Sequence, residues 1–131
     1  MPFVARARQF LNNQGSLATS RYRDVMDETV RYLLDNAIGM ENAVSTNTIV
    51  EYLNNQRYEI TREEWQINVI GPLRQNGIFI GSLRGRRGMF IINSDEEART
   101  VYDSYSRRIQ VETARLAILR RLMDEAGWVV D

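Results

Sequence analysis

Apolar positions recur at threes and fours through most of this chain and cluster into strand-like runs only between residues 78 and 92. Phe3, Ala7, Phe10 and Leu11 share one side of the segment Phe3–Asn13, with Gly15 as a stop. Both a short helix and a frayed terminal arm fit it. The stretch "SRYRDVMDETVRYLLDNAIG" places Tyr22, Val25, Met26, Thr29, Val30, Leu33 and Leu34 at helical spacing, with Ser20 as cap and Gly39 as end. An extended piece, Asn42-Ala43-Val44, precedes Ser45, which caps a helix from Thr46 to about Gln56. Thr61-Arg62-Glu63-Glu64 reads as a capping box opening a third helix, whose Trp65, Val69, Leu73 and neighbouring Ile70 form its apolar stripe. Proline in Gly71-Pro72 cannot donate to the carbonyl of Asn68, which predicts a kink or a break. Asn76-Gly77 is a stop.

A hairpin follows, with Ile78-Phe79-Ile80 and Met89-Phe90-Ile91-Ile92 as strands. Ser94-Asp95-Glu96-Glu97 is a second capping box and launches the longest element, Asp95 to about Ala126. Gly127 stops it before the apolar tail Trp128-Val129-Val130. The fold class is therefore mostly α with a small β-hairpin and a long C-terminal helix. Three units are expected: an arm or short helix at 1–19, a body at 20–93, and a long helix with its tail at 94–131.

Composition narrows the chemistry. The chain has neither cysteine nor histidine, which removes disulfides, thiolate and histidine metal sites, and the commonest general base. All 17 basic residues are arginine, so a P-loop lysine and Schiff-base chemistry are absent too. Glu63-Glu64 and Asp95-Glu96-Glu97 read as helix-start acids rather than catalytic pairs. A magnesium nuclease built from scattered carboxylates has no motif to support it. No catalytic residue, cofactor or metal site is expected. No apolar run is long enough for a bilayer, no signal peptide is visible, and the missing cysteine fits a cytoplasmic protein.

The 17 basic and 17 acidic residues cancel, but not locally. Residues 57–93 hold six arginines against three glutamates, while residues 16–56 hold three arginines against six acids. The excess peaks at Arg84, Arg86 and Arg87 in the hairpin turn "RGRRG". Charges there discourage edge aggregation, yet three arginines without an acid exceed that need. A glycine-flanked basic turn can follow a phosphate backbone, and arginine's planar fork suits phosphate and guanine. On the third helix, Glu64, Asn68, Gly71 and Gln75 lie opposite the apolar stripe, with Ile67 and Arg74 at the border. Asn68, Arg74 and Gln75 have the geometry to read base edges; an ordinary solvated helix face has the same pattern. Arg62, Thr46 and Asn47 stand at helix starts, where phosphate is favoured, although Glu63 and Glu64 oppose it.

The order helix, short strand, helix, helix, strand, loop, strand, together with "TREEWQINVIGPLRQNGIF" followed by "RGRRG", resembles the winged helix-turn-helix superfamily over residues 20–93. Trp65, Val69, Leu73 and the Gly77-Ile78 exit match a recognition helix feeding the first wing strand. The resemblance implies double-stranded DNA as partner, with the third helix in a major groove and the wing on backbone or minor groove.

The long helix carries Tyr102, Tyr105, Ile109, Leu116, Leu119 and Met123 at four-three spacing, interrupted by Glu112 and widened by Ala98, Val101, Val111, Ala114, Ile118 and Leu122. Pairing with a second copy would bury this stripe; folding back onto "FVARARQFLNN" would also do so. The leading expectation is a dimeric, non-enzymatic DNA-binding protein, a small transcriptional regulator or a DNA-recognition subunit. The alternative is a protein-interaction adaptor that assembles through the long helix.

Overall fold

The computed structural model describes residues 2–12, 22–83 and 86–127. Ser20, Gly15, Arg84 and the tail Trp128-Val129-Val130 lie outside the described residues. Helices α1 (Pro2–Asn12), α2 (Arg23–Asn36) and α3 (Thr46–Asn55) lead to a helical rod made of α4 (Arg62–Trp65), a π turn (Gln66–Ile70) and α5 (Gly71–Gln75). The antiparallel strands β1 (Ile80–Leu83) and β2 (Arg86–Ile91) follow, and then α6 (Asp95–Glu125). The molecule is mostly α with a two-stranded hairpin and a long C-terminal helix.

The main core forms where the apolar stripes of the first helices and the rod meet the inner face of the hairpin. Ala7, Met26, Val30, Leu33, Ile49, Leu53, Trp65, Val69, Ile70, Leu73, Ile80 and Ile91 are all buried in it. Helix α1 contributes through Ala7, which is fully buried. At the centre, Trp65 Nε1 donates to Thr29 Oγ1 at 3.1 Å. That bond satisfies the polar end of the largest core side chain.

The caps form largely where the sequence puts them. Ser45 accepts from the Thr48 amide. Thr61 and Glu64 form the full reciprocal box. Ser94 accepts from the Glu97 amide, but Glu97 reaches elsewhere than expected: its Oε1 accepts from the amide of Asn93 and its Oε2 from that of Met40, each at 2.8 Å. The start of α6 is thereby fastened to the loop after α2. Gly39 does not end α2, which stops at Asn36 with Ala37 as its C-cap. Gly39 instead takes a φ of +90° and opens a 3₁₀ turn, Met40–Asn42. Only Val44 of the expected extended piece pairs, exchanging hydrogen bonds with Met89, while Ile38 bridges Ile91. β1 begins at Ile80, two residues later than expected, whereas β2 begins at Arg86, three residues earlier than expected, and ends at Ile91.

Gly71-Pro72 neither breaks nor ends the rod. The five residues before it widen into a π turn, with the Gly71 amide donating to the Gln66 carbonyl. A π turn lets a helical path continue past a ring that cannot sit in an α turn behind it. The connector between α3 and α4 is held differently. Asn54 donates from Nδ2 to the Ile60 carbonyl at 3.1 Å and accepts from the Ile60 amide at 2.8 Å. This clamp spans Arg57 and Glu59, both in left-handed backbone at φ of +70° and +49°.

A second, smaller core joins the outer face of the hairpin to the start of α6. Phe3, Phe90, Ile92 and Val101 are buried there, with Phe79, Leu83, Ala98 and Tyr105 partly buried around them. Beyond Ser106, α6 leaves the body, and residues 107–122 are all exposed. The helix does not fold back along α1.

Candidate nucleic-acid interface

The starts of α3 and α4 and the half of the hairpin nearer its turn enclose one cleft of about 570 Å³. Its lining is Ser45, Thr46, Asn47, Arg62, Gln66, Ser82, Gly88 and Met89. The sequence positions explain the convergence. The Val44–Met89 bridge pins the chain just before α3 to β2, and the Asn54 clamp sets the angle from which α4 enters. At Gly88, φ is +142°, and an added Cβ would lie 3.0 Å from that of Ala43. A glycine here lets the hairpin approach the segment before α3.

Among the described residues Arg62 is the single charged one lining this cleft. One of the two acids at this helix start, Glu64, faces elsewhere. Glu64 is turned back into its capping box and lines a separate hollow with Tyr22, Asp24, Tyr58 and Glu59. The opposition that Glu64 was expected to offer to an anion at this helix start is therefore directed away from the cleft.

Thr46, Asn47 and Arg62, expected as phosphate contacts, thus meet at one concavity. Asn68, Arg74 and Gln75 do not line it. Asn68 is half-buried and Gln75 is exposed. Arg74 is engaged with the hairpin: its Nε donates to the Ile80 carbonyl at 3.0 Å, and one terminal nitrogen lies 3.5 Å from Ser82 Oγ. Arg86 and Arg87 are described through their backbone, which begins β2, with Arg86 opposite Leu83.

One residue missed by sequence reasoning stands out, beside one that the sequence placed at the border of the polar face. Gln66 lines the cleft, and Ile67 is 71% exposed on the rod. Among the described residues, every other exposed large apolar side chain belongs to α6. A projection at a uniform 100° per residue places Gln66 within the apolar stripe and so hid it; the π turn that begins there changes the helical step. The hint was Pro72, which signals a local departure from α geometry.

On α6, Tyr102, Ile109, Leu116 and Leu119 are between 53% and 71% exposed, while Tyr105 and Met123 are half-buried. Among the described residues no cluster of acidic side chains could hold a metal ion, and no helix is long and apolar enough to cross a membrane.

No family model matches the chain, and no solved structure matches it. It is 30% identical over 118 residues to the "putative control protein C.MjaVP" of Methanocaldococcus jannaschii, an alignment that covers 88% of this chain and 72% of that relative. At that identity and coverage, the chain belongs to the family of C.MjaVP.

Proposed function

We propose that this protein is a non-enzymatic, double-stranded-DNA-binding regulator of the winged helix-turn-helix type, acting as a dimer through α6. The observation that carries the reading is the cleft where the starts of α3 and α4 meet the hairpin, with Arg62 its only charge among the described residues. Two helix starts, one guanidinium and several hydroxyl and amide side chains form the kind of surface that holds a phosphate backbone. The relative's name as a control protein supports a regulatory role.

In this mechanism Thr46, Asn47 and Arg62 grip phosphates, and Arg84, Arg86 and Arg87 supply charge from the wing. The rod then meets base edges. Gln66, Asn68 and Gln75 carry amides suited to adenine, and exposed Ile67 suits a thymine methyl. Arg74 contributes by fixing the wing to the rod rather than by reading bases. Residues 20–93 make the DNA-contacting body, and residues 94–131 the dimerisation unit, with Tyr102, Tyr105, Ile109, Leu116, Leu119 and Met123 in its seam.

The test is fluorescence anisotropy with a labelled mixed-sequence duplex at low salt. Binding at micromolar protein, weakened by salt, is expected. A second reading, a protein-interaction adaptor, is favoured only by the exposed apolar surface of α6. Under that reading the duplex gives no anisotropy change.

A further inference from the structure

Seven exposed large apolar residues on a single helix exceed what a monomer's surface carries as scattered side chains. Their direction relative to the body restricts how a second copy can cover them. At about 100° per residue, Ala98, Val101 and Tyr105 project to the same side of α6 as Ile109, Leu116, Leu119 and Met123. The first three are packed under Phe3, Phe90 and Ile92. One continuous stripe is thus covered by the body at its start and open from Ile109 through Leu119, with Met123 half-buried at its end.

We infer that α6 pairs antiparallel with the α6 of a second copy, through the segment Ile109–Met123. This inference rests on the dimer reading above and gives it an orientation. A parallel partner would lay its own first turns, with a hairpin attached, along the stretch that this hairpin already occupies. Two bodies would then stand between the helices and hold them farther apart than the 8–10 Å at which helices pack. An antiparallel partner brings to that place the end of its helix, where the chain leaves helical geometry at Gly127, φ +81°.

Charge points the same way. Glu112 sits within the seam spacing, paired with Arg115 at 2.9 Å. Parallel pairing in register stacks Glu112 on its own copy, and like charges directly opposed across a seam are destabilising. Antiparallel pairing sets each Glu112 against an apolar position of the other helix, with its own Arg115 alongside.

The absence of cysteine makes the test direct, because each introduced thiol is unique. Ala117→Cys and Asp124→Cys lie on the exposed flank of α6, seven residues apart and outside the apolar stripe. Each is nitroxide-labelled and the intermolecular distance measured by pulsed dipolar spectroscopy on the full chain. Antiparallel pairing separates the two Asp124→Cys sites by about 21 Å more along the axis than the two Ala117→Cys sites, since displacement from the midpoint counts twice, and so makes their measured distance longer by roughly 10–15 Å. Equal separations mean a parallel dimer and overturn the orientation while leaving the dimer standing. No dipolar coupling at either position removes the dimer itself. Leu116→Arg in the labelled background abolishes the coupling if the stripe is the seam; retained coupling in that variant assigns pairing to another surface and overturns the inference.

Discussion

Arg74 reaches from the end of the rod to β1, where its Nε donates to the main-chain carbonyl of Ile80 at 3.0 Å. The second contact, to Ser82 Oγ at 3.5 Å, is longer and adds little. The rod and the hairpin are therefore joined by a charged donor on a neutral acceptor, a stronger bond than two neutral groups make. Arg74→Ala is expected to cost about 1.5–3 kcal/mol of unfolding free energy, the usual worth of a hydrogen bond to a charged group. Arg74→Lys recovers only part of it, having no planar fork to place. Chemical denaturation of the three proteins checks both statements.

The buried pair Trp65 and Thr29 makes a separate prediction. Thr29→Val keeps the shape of the side chain but leaves the indole Nε1 without its acceptor in a site where both residues are fully buried. The expected loss is about 1–3 kcal/mol, the cost of an unsatisfied buried donor. Trp65 fluorescence follows the unfolding midpoint.

Gly81 is where the hairpin admits α6. A Cβ there would lie 2.8 Å from Phe90 Cζ and 3.1 Å from Val101 Cγ2. Gly81→Ala therefore overpacks the smaller core and is expected to destabilise the protein by about 1–3 kcal/mol. The loosening should centre on the α6 junction, so hydrogen exchange at residues 98–105 should speed up more than at Met26 or Leu53.

Alkaline pH supplies a test of the α2–α3 contact. The Tyr52 phenol is held above its usual range, first by its hydrogen bond to Glu28 at 2.6 Å and then by desolvation and neighbouring carboxylates. A phenol whose folded pKa is raised favours the folded state while protonated. That contribution is complete below the unfolded value near pH 10 and is lost as pH rises through the folded value. Stability should fall as pH climbs above about 10, and Tyr52→Phe should flatten that fall.

Helix existence, the caps at Ser45 and Thr61 and the long terminal helix were legible because each has a local cause: apolar spacing, a hydroxyl followed by a glutamate, a glycine stop. The second carboxylate contact of Glu97 was not, since it joins residues 57 positions apart and depends on where the α2–α3 loop lies. Gln66 was missed for a different reason. Its orientation follows from a π turn, which no periodic projection anticipates. The bond of Arg74 to the hairpin was not legible either, because sequence shows its charge and helical position but not the strand carbonyl that it meets.

The central claim is that the cleft around Arg62 holds a phosphate backbone, and salt dependence measures this most directly. Anisotropy titrations of one mixed-sequence duplex, across a series of salt concentrations, give the slope of log affinity against log salt for the wild-type protein and for Arg62→Ala. Losing one phosphate contact lowers the magnitude of that slope by about 0.9 and weakens binding to every duplex alike. An Arg62→Ala protein that folds normally and keeps both the wild-type affinity and the wild-type slope would contradict the account.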